Sequence, residues 1–347
     1  MDLDTKAVAA QAGLHHQLFL GMQLMVAVEE SRETVFQWMF RLFRRQHEAK
    51  FLSSFTKLGL HGLPHAVACA KYHVLSNGVG GVAVEYMAES DTKAWVRFRY
   101  PRWMYAGPAI CGIPVEASRG FLHGWYAQNG VSLGNPRLGF VCVSEDVTGQ
   151  FGLCGYFKEY DYDLAPQERL RFAPEESVPA YVREDQPEPP NDLWNAERLA
   201  KANRNYAVEY IRNGITALAE VVGPARAKEL GMRAGRLTGL QHYPLMAERI
   251  DASDGVLEDA GKFLQTMMSG MGDACTNVAD SAGGLVLQQT GLRIIQGLDG
   301  PSRETLLPVW AEVWRGAVHS HRTFMELDYS WSPSQPDMLV WRLTNRL

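Results

Sequence analysis

From Leu18 to Ala49 the apolar residues Leu18, Met22, Met25, Val26, Val35, Trp38, Met39, Leu42 and Phe43 recur at intervals of three and four, with Arg41, Arg44 and Arg45 off the stripe. That spacing predicts one long or two consecutive amphipathic helices. A further helix is expected from Pro64, well placed at a first turn, through Tyr72 to Leu75, ending at Ser76, Asn77 and Gly78. After Gly80 and Gly81 the period changes to two. VAVEYMAES and KAWVRFRY alternate and are rich in β-branched and aromatic residues, so they read as a hairpin. An irregular stretch, PRWMYAGPAICGIP, precedes a helix from Val115 to about Asn129; the loop NGVSLGNPR then leads into two more strands, LGFVCVSED and GLCGYFKEYDY.

Residues 162–192 hold Pro166, Pro174, Pro179, Pro187, Pro189 and Pro190 among many acids, a composition expected of an extended, solvated linker. Beyond it, 193–222, Pro224 to about Leu240, and Val256 to Met271 carry helical spacing. GLVLQQTGLRII, TFMELDYSW and DMLVWRLTN read as strands, with LPVWAEVWRGAVHS a helix between the first two. The predicted organisation is therefore residues 1–161, a helical N-terminal part plus a first α+β repeat; a linker over 162–192; and a second α+β repeat over 193–347. The fold class is α+β in two similar halves, each with helices packed on an antiparallel sheet, as an internal duplication would give.

The expected landmarks of the repeat are Gly80 and Gly81 paired with Gly283 and Gly284, and Trp125, Phe140 and Phe157 paired with Trp314, Phe324 and Trp341. From Gly81 to Trp125 the first copy spans 44 positions, from Gly284 to Trp314 the second spans 30. The surplus falls in PRWMYAGPAICGIP and NGVSLGNPR. A copy that carries a site keeps such loops, so function is expected in the first half.

Composition narrows the classes. A 46% hydrophobic and 21% charged chain of 347 residues is ordinary globular material, and a net charge of -5 leaves no basic field for a nucleic-acid backbone. The opening residues lack a basic n-region and an apolar core, and no run approaches the ~18 apolar residues of a membrane span. Five cysteines without CxxC spacing read as reduced thiols, Cys142 and Cys154 as small buried residues. A cytoplasmic protein is expected, with no nucleic-acid or membrane partner, no cofactor, and a homo-oligomer left open.

The loops supply the candidate chemistry. A guanidinium fork can hold a carboxylate through two parallel hydrogen bonds, which marks Arg102 and Arg137, although each could instead satisfy loop carbonyls or a surface acid. Trp103, Trp125, Asn129 and Asn135 are expected to line the same pocket, with Asn129 equally placed to end a helix. His123 is the candidate proton carrier, Cys111 a candidate nucleophile between glycines, and Glu116 a further acid at a helix start. His61, His65 and His73 have spacing that suits metal ligation but bring no HExxH pattern; no metal is assigned. His15 and His16 read as solvent exposed, and GRLTGLQHYP and GMGDACTNV as helix termini.

The segment FLQTMMSGMGDACTNVADSAGGLVLQQ and the closing FMELDYSW and MLVWRL strands resemble the L-2-amino-thiazoline-4-carboxylic acid hydrolase family and vinyl-reductase-like small-ligand domains, over about 140 residues from Tyr206 onward. The hydrolases carry cysteines near their last strands, and this chain has none after Cys275. The resemblance implies an α+β fold that binds a small ligand. Together these readings predict an enzyme, a hydrolase or related acid–base catalyst, acting on a polar metabolite bearing a carboxylate or a C–N bond. A protein that binds a small ligand or assembles without catalysis is the alternative.

Overall fold

The computed structural model describes residues 4–189, 195–278 and 284–346. The fold is α+β, with a sheet in each of two compact units. One unit is continuous, Ala27–Asn195; the other is built from two segments, Met1–Val26 and Ala196–Leu347. Among the described residues no helix is long and apolar enough to cross a membrane.

In the continuous unit, the Ser31 hydroxyl caps helix α2 (Arg32–Lys57) by accepting from Thr34 N at 3.1 Å. The predicted stripe of Val35, Trp38, Met39, Leu42 and Phe43 is buried. Helix α3 (His65–Val79) leads into strands β1 (Val84–Ser90) and β2 (Lys93–Phe98). Helix α4 (Val115–Gly124) crosses over to β3 (Leu138–Ser144), which turns back into β4 (Cys154–Glu159). Helices α2 and α4 touch backbone to backbone: a Cβ on Gly120 would meet Phe36 O at 2.6 Å, and one on Gly124 would meet Phe40 O at 2.6 Å. Only glycine permits that approach.

The sheet order is β1-β2-β4-β3-β5, antiparallel except that β5 (Leu170–Phe172) lies parallel to β3. Every residue of β3 is buried, because both faces of this sheet are covered. Helix α3 lies against β1, β2 and β4. On the Trp95 face, Met87, Val141, Val143, Cys154 and Tyr156 cluster with Ala173 and Val178. The expected linker therefore needs correction. Residues 170–172 form a strand, Ala173 and Val178 cover the sheet, and the Gln186 carboxamide accepts from Tyr86 N at 2.9 Å and donates to Tyr86 O at 2.8 Å. Proline prevents this segment from joining a ladder as a full strand, yet its apolar residues still pack. Pro190 lies outside the described residues.

The two-segment unit contains α1 (Thr5–Glu29), α6 (Ala196–Val222), α7 (Pro224–Arg249), α8 (Leu257–Met271) and α9 (Gly300–His319), numbered after a short α5 (Asn129–Ser132) in the continuous unit. Its sheet runs β6-β7-β9-β8, all antiparallel, from β6 (Ala274–Val278), β7 (Leu285–Thr290), β8 (Met325–Ser332) and β9 (Gln335–Asn345). One face is buried, through Leu287, Gln289, Leu339, Trp341 and Leu343, while β9 alternates outward to exposed Arg342. Helices α7 and α9 again meet at glycines: Gly235 against Val309 O at 2.7 Å, Gly239 against Val313 O, and Gly316 against Arg236 O.

Four strands run in the same order, first-second-fourth-third, in both sheets. The landmarks do not pair as expected. Gly81 ends the turn before β1, whereas Gly284 precedes β7, the second strand of its sheet; Gly283 lies outside the described residues. The residue in the topological place of Gly81 is Gly272, between α8 and β6, and both glycines have positive φ, 73° and 93°. The crossovers span 99–137 and 291–324, so the difference lies less in length than in form. The second half uses 20 residues for one unbroken helix; the first breaks after a helix of 10.

Helix α1, expected with the first repeat, belongs to the other unit. Phe19 meets Tyr210 edge to face at 5.2 Å, and Ala7 lies against Gly270. His15 and His16 are buried, not exposed. His15 Nε2 accepts from Trp310 Nε1 at 3.0 Å and Nδ1 donates to Gln11 O at 3.0 Å, which fixes a neutral ring. Burial pulls its pKa down to about 4, and burial followed by the charge of His15 takes His16 to about 3.

Two outcomes are expected. Gly239→Ala should lower stability by about 1–3 kcal/mol or more, because backbone cannot retreat, whereas Gly78→Ala, with nothing within 4 Å, should be neutral or stabilising; urea unfolding distinguishes them. Both buried histidines are held neutral in the fold but would take a proton near pH 6.5 in the unfolded chain. Stability should thus be full above pH 6.5 and fall toward pH 4, His15 accounting for roughly 3 kcal/mol, and the urea midpoint of His15→Gln should depend less on pH over that range.

Candidate functional site

After α4 the chain turns sharply. Residues Tyr126–Gln128 form a 3-10 turn, α5 follows, and Gly134 at φ 66° reverses direction. Asn135 N donates to Gly130 O at 2.8 Å, and a Cβ on Gly130 would strike Leu138 O at 2.5 Å, so the loop closes tightly on itself. That closure buries Asn135 and sets it beside His65, the first residue of α3. Asn135, Arg137, His65 and Glu159, with Leu63, Pro64, Gly134 and Pro136, line an open cleft of about 460 Å³.

The hydrogen bonds in this cleft define its chemistry. Asn135 Oδ1 accepts from Arg137 N at 3.1 Å, which orients the amide. Its Nδ2 therefore donates to His65 Nδ1 at 2.9 Å. A neutral imidazole whose Nδ1 accepts carries its proton on Nε2, so His65 offers a donor and not a base. Arg137 Nη2 pairs with Glu159 Oε1 at 2.7 Å, and most donors of the half-exposed guanidinium remain for a ligand. Two donors of different kinds thus share a cleft with one carboxylate, a combination suited to a carboxylate or carbonyl oxygen.

The other expected site residues do not gather here. Arg102 is 3% exposed and paired with the fully buried Asp146 side chain, whose other oxygen accepts from Ser118 Oγ at 2.9 Å. Tyr100 Oη donates to Asp146 O at 2.6 Å, and the Phe98 ring lies 4.2 Å beneath the Arg102 guanidinium. The expected fork for a substrate already holds an internal carboxylate. Trp103 opens the 3-10 turn Trp103–Tyr105 beside it. Asn129 is fully buried, with Nδ2 at 3.0 Å from Nε2 of His73, and His73 stacks on Tyr126 at 3.9 Å; both belong to the core.

His123 lies edge-on to Phe36 at 5.5 Å on α4, and its pKa is lowered by burial, then by Arg119 and Arg44. Glu116 is on the same helix, 3.9 Å from Arg32. Trp125 caps the end of α4 and meets His47 at 5.3 Å. Cys111 is exposed at the end of the 3-10 turn Gly107–Cys111. Cys142 and Cys154 are free and buried, and burial pushes the Cys154 thiol up to about 12.

The three histidines spaced for metal each hydrogen-bond a different neutral side chain: His61 to Thr56 at 2.8 Å, His65 to Asn135, His73 to Asn129. Among the described residues no group of three or more His, Cys, Asp or Glu could hold a metal ion. Sequence reasoning weighed His65 only as a ligand and missed Glu159. Their meeting depends on contacts 70 and 22 positions apart, for which neither local stretch carries a signal.

No family model matches the chain, and no curated protein matches it. Among solved structures, the crystal structure of a trafficking protein particle complex subunit 3 from Naegleria fowleri, covalently bound to palmitic acid, is similar at 16% identity, covering 42% of this chain and 98% of that one with a TM-score of 0.35.

Replacing Arg102 by Met should cost about 3–5 kcal/mol, since Asp146 would be left buried and unpaired. Adding Asp146→Asn to Arg102→Met should recover part of that loss, measured as urea midpoints across the four variants of the cycle.

Proposed function

We propose that the cleft formed by His65, Asn135, Arg137 and Glu159 binds a small polar metabolite through a carboxylate or carbonyl oxygen. The observation that carries this reading is the fixed amide of Asn135, which makes His65 a hydrogen-bond donor next to the free donors of Arg137. Two of the residues expected from the sequence, Asn135 and Arg137, line this cleft.

The catalytic form of the proposal is a hydrolase or related acid–base enzyme on a metabolite with a carboxylate or C–N bond. It draws on Glu159, the carboxylate among the residues lining the cleft, as the group able to accept a proton there. His65 would hold the oxygen, in place of the proton transfer first expected of His123.

Thermal shift and calorimetric titration against a panel of small carboxylates test the binding claim. At least one compound should raise the melting temperature of the wild-type protein. Arg137→Ala and Asn135→Ala should weaken its binding about tenfold or more, as expected for loss of a charge-assisted hydrogen bond. Undiminished affinity in both variants would place the ligand elsewhere. If the ligand is turned over, Glu159→Gln should bind it and not convert it.

A further inference from the structure

Helix α8 ends on Gly272 in the left-handed conformation, and this turn lies against two guanidiniums. A Cβ on Gly272 would meet Arg293 Nε at 2.6 Å and Arg204 Nη1 at 3.0 Å, so the missing side chain is what lets both arginines close on one stretch of backbone. Arg293 Nε donates to Gly272 O at 3.3 Å. Arg204, on α6, is only 7% exposed. Its Nε reaches Asn205 Oδ1 at 3.4 Å, and among the described residues its two terminal nitrogens have no acceptor.

The surrounding charges do not balance. Arg212, on the same helix as Arg204, donates to the carbonyls of Arg293 and Ile294. Asp273 is the carboxylate of this group, but its oxygens are taken by Gln289 Nε2 at 2.7 Å and Arg293 N at 3.1 Å. Gln289 is itself held by Trp341 Nε1 at 2.8 Å, so the carboxylate is tied into the sheet. Among the described residues three guanidiniums thus face one carboxylate. Burial and then Arg293 lower the pKa of Arg204, with Asp273 opposing them, while burial raises the pKa of Asp273 to about 6 against the pull of Arg293 and Arg204. Donors of Arg204 that no protein acceptor takes are open to the oxygens of a bound anion.

We propose that Arg204 and Arg293, at the Gly272 turn, form a binding site for a phosphate dianion, free or as a phosphate monoester. The excess of two positive charges matches a dianion, and paired guanidinium forks present their donors to its oxygens. Asp273 orients Arg293 through its backbone N–H and offsets only part of the positive charge. This site is separate from the cleft of the continuous unit.

The test is the melting temperature of the full chain in inorganic phosphate against chloride at equal ionic strength and pH, with nitrate as a monoanion control. Phosphate should raise the wild-type midpoint by a few degrees and nitrate should not. The gain should vanish in Arg204→Gln and shrink in Arg293→Gln, and Arg204→Lys should keep part of it. Should Arg204→Gln fail to fold, the half-buried Arg293 still decides. Equal midpoints in phosphate and chloride, an equal gain with nitrate, or a full gain in Arg293→Gln would overturn the assignment. Arg137→Ala should leave the phosphate gain unchanged, which separates this site from the carboxylate cleft.

Discussion

Close helix contact through glycine sets the geometry of both halves. Where α4 crosses α2, and where α9 crosses α7, the axes come so near that one helix presents bare α-carbon to the other's carbonyls. A sheet can only be covered by a crossover helix at fixed depth, so these contacts decide where β3 and β8 enter their sheets. The two halves reach the same end differently. In the continuous unit the glycines sit on the crossover helix, at Gly120 and Gly124; in the two-segment unit most sit on the preceding helix, at Gly231, Gly235 and Gly239. Such contacts gain from dispersion and weak Cα–H···O bonds, and they tolerate no added methyl.

Much of the secondary structure was legible because periodicity is a local property. The stripe from Val35 to Phe43 and the alternation of KAWVRFRY each report one buried face. Strand β6 was missed: ACTNV is five residues long and mostly exposed, so it lacks the alternation that betrays a half-buried strand. Helix α9 starts at Gly300, before the stretch LPVWAEVWRGAVHS; the cap Asp299 and Pro301 carried that signal and went unread. Composition identified 162–192 as irregular. It could not say that Ala173, Val178 and Gln186 complete the sheet, because packing of an irregular segment leaves no period behind.

The candidate residues separated for a reason of the same kind. An arginine in a loop looks alike whether it waits for a ligand or neutralises an acid 44 positions away, as Arg102 does for Asp146. Burial against an internal partner removes a polar residue from chemistry; Arg102 is spent on Asp146, and Asn129 and His73 on each other. Arg137 and Asn135 keep exposed or directed donors. Arg204 is the opposite case, a buried cation whose partners are incomplete, and it lay in a half where no loop drew attention to it.

The position of α1 bears on the order of events during synthesis. Its residues leave the ribosome before those of the continuous unit, yet Ala7, His15 and Phe19 are buried in a unit whose other segment is encoded from Ala196 on. The continuous unit is complete in sequence by then, while the apolar residues of α1 still lack the segment that buries them. Assembly of the two-segment unit on the ribosome therefore waits for its second segment, while the continuous unit has no such wait.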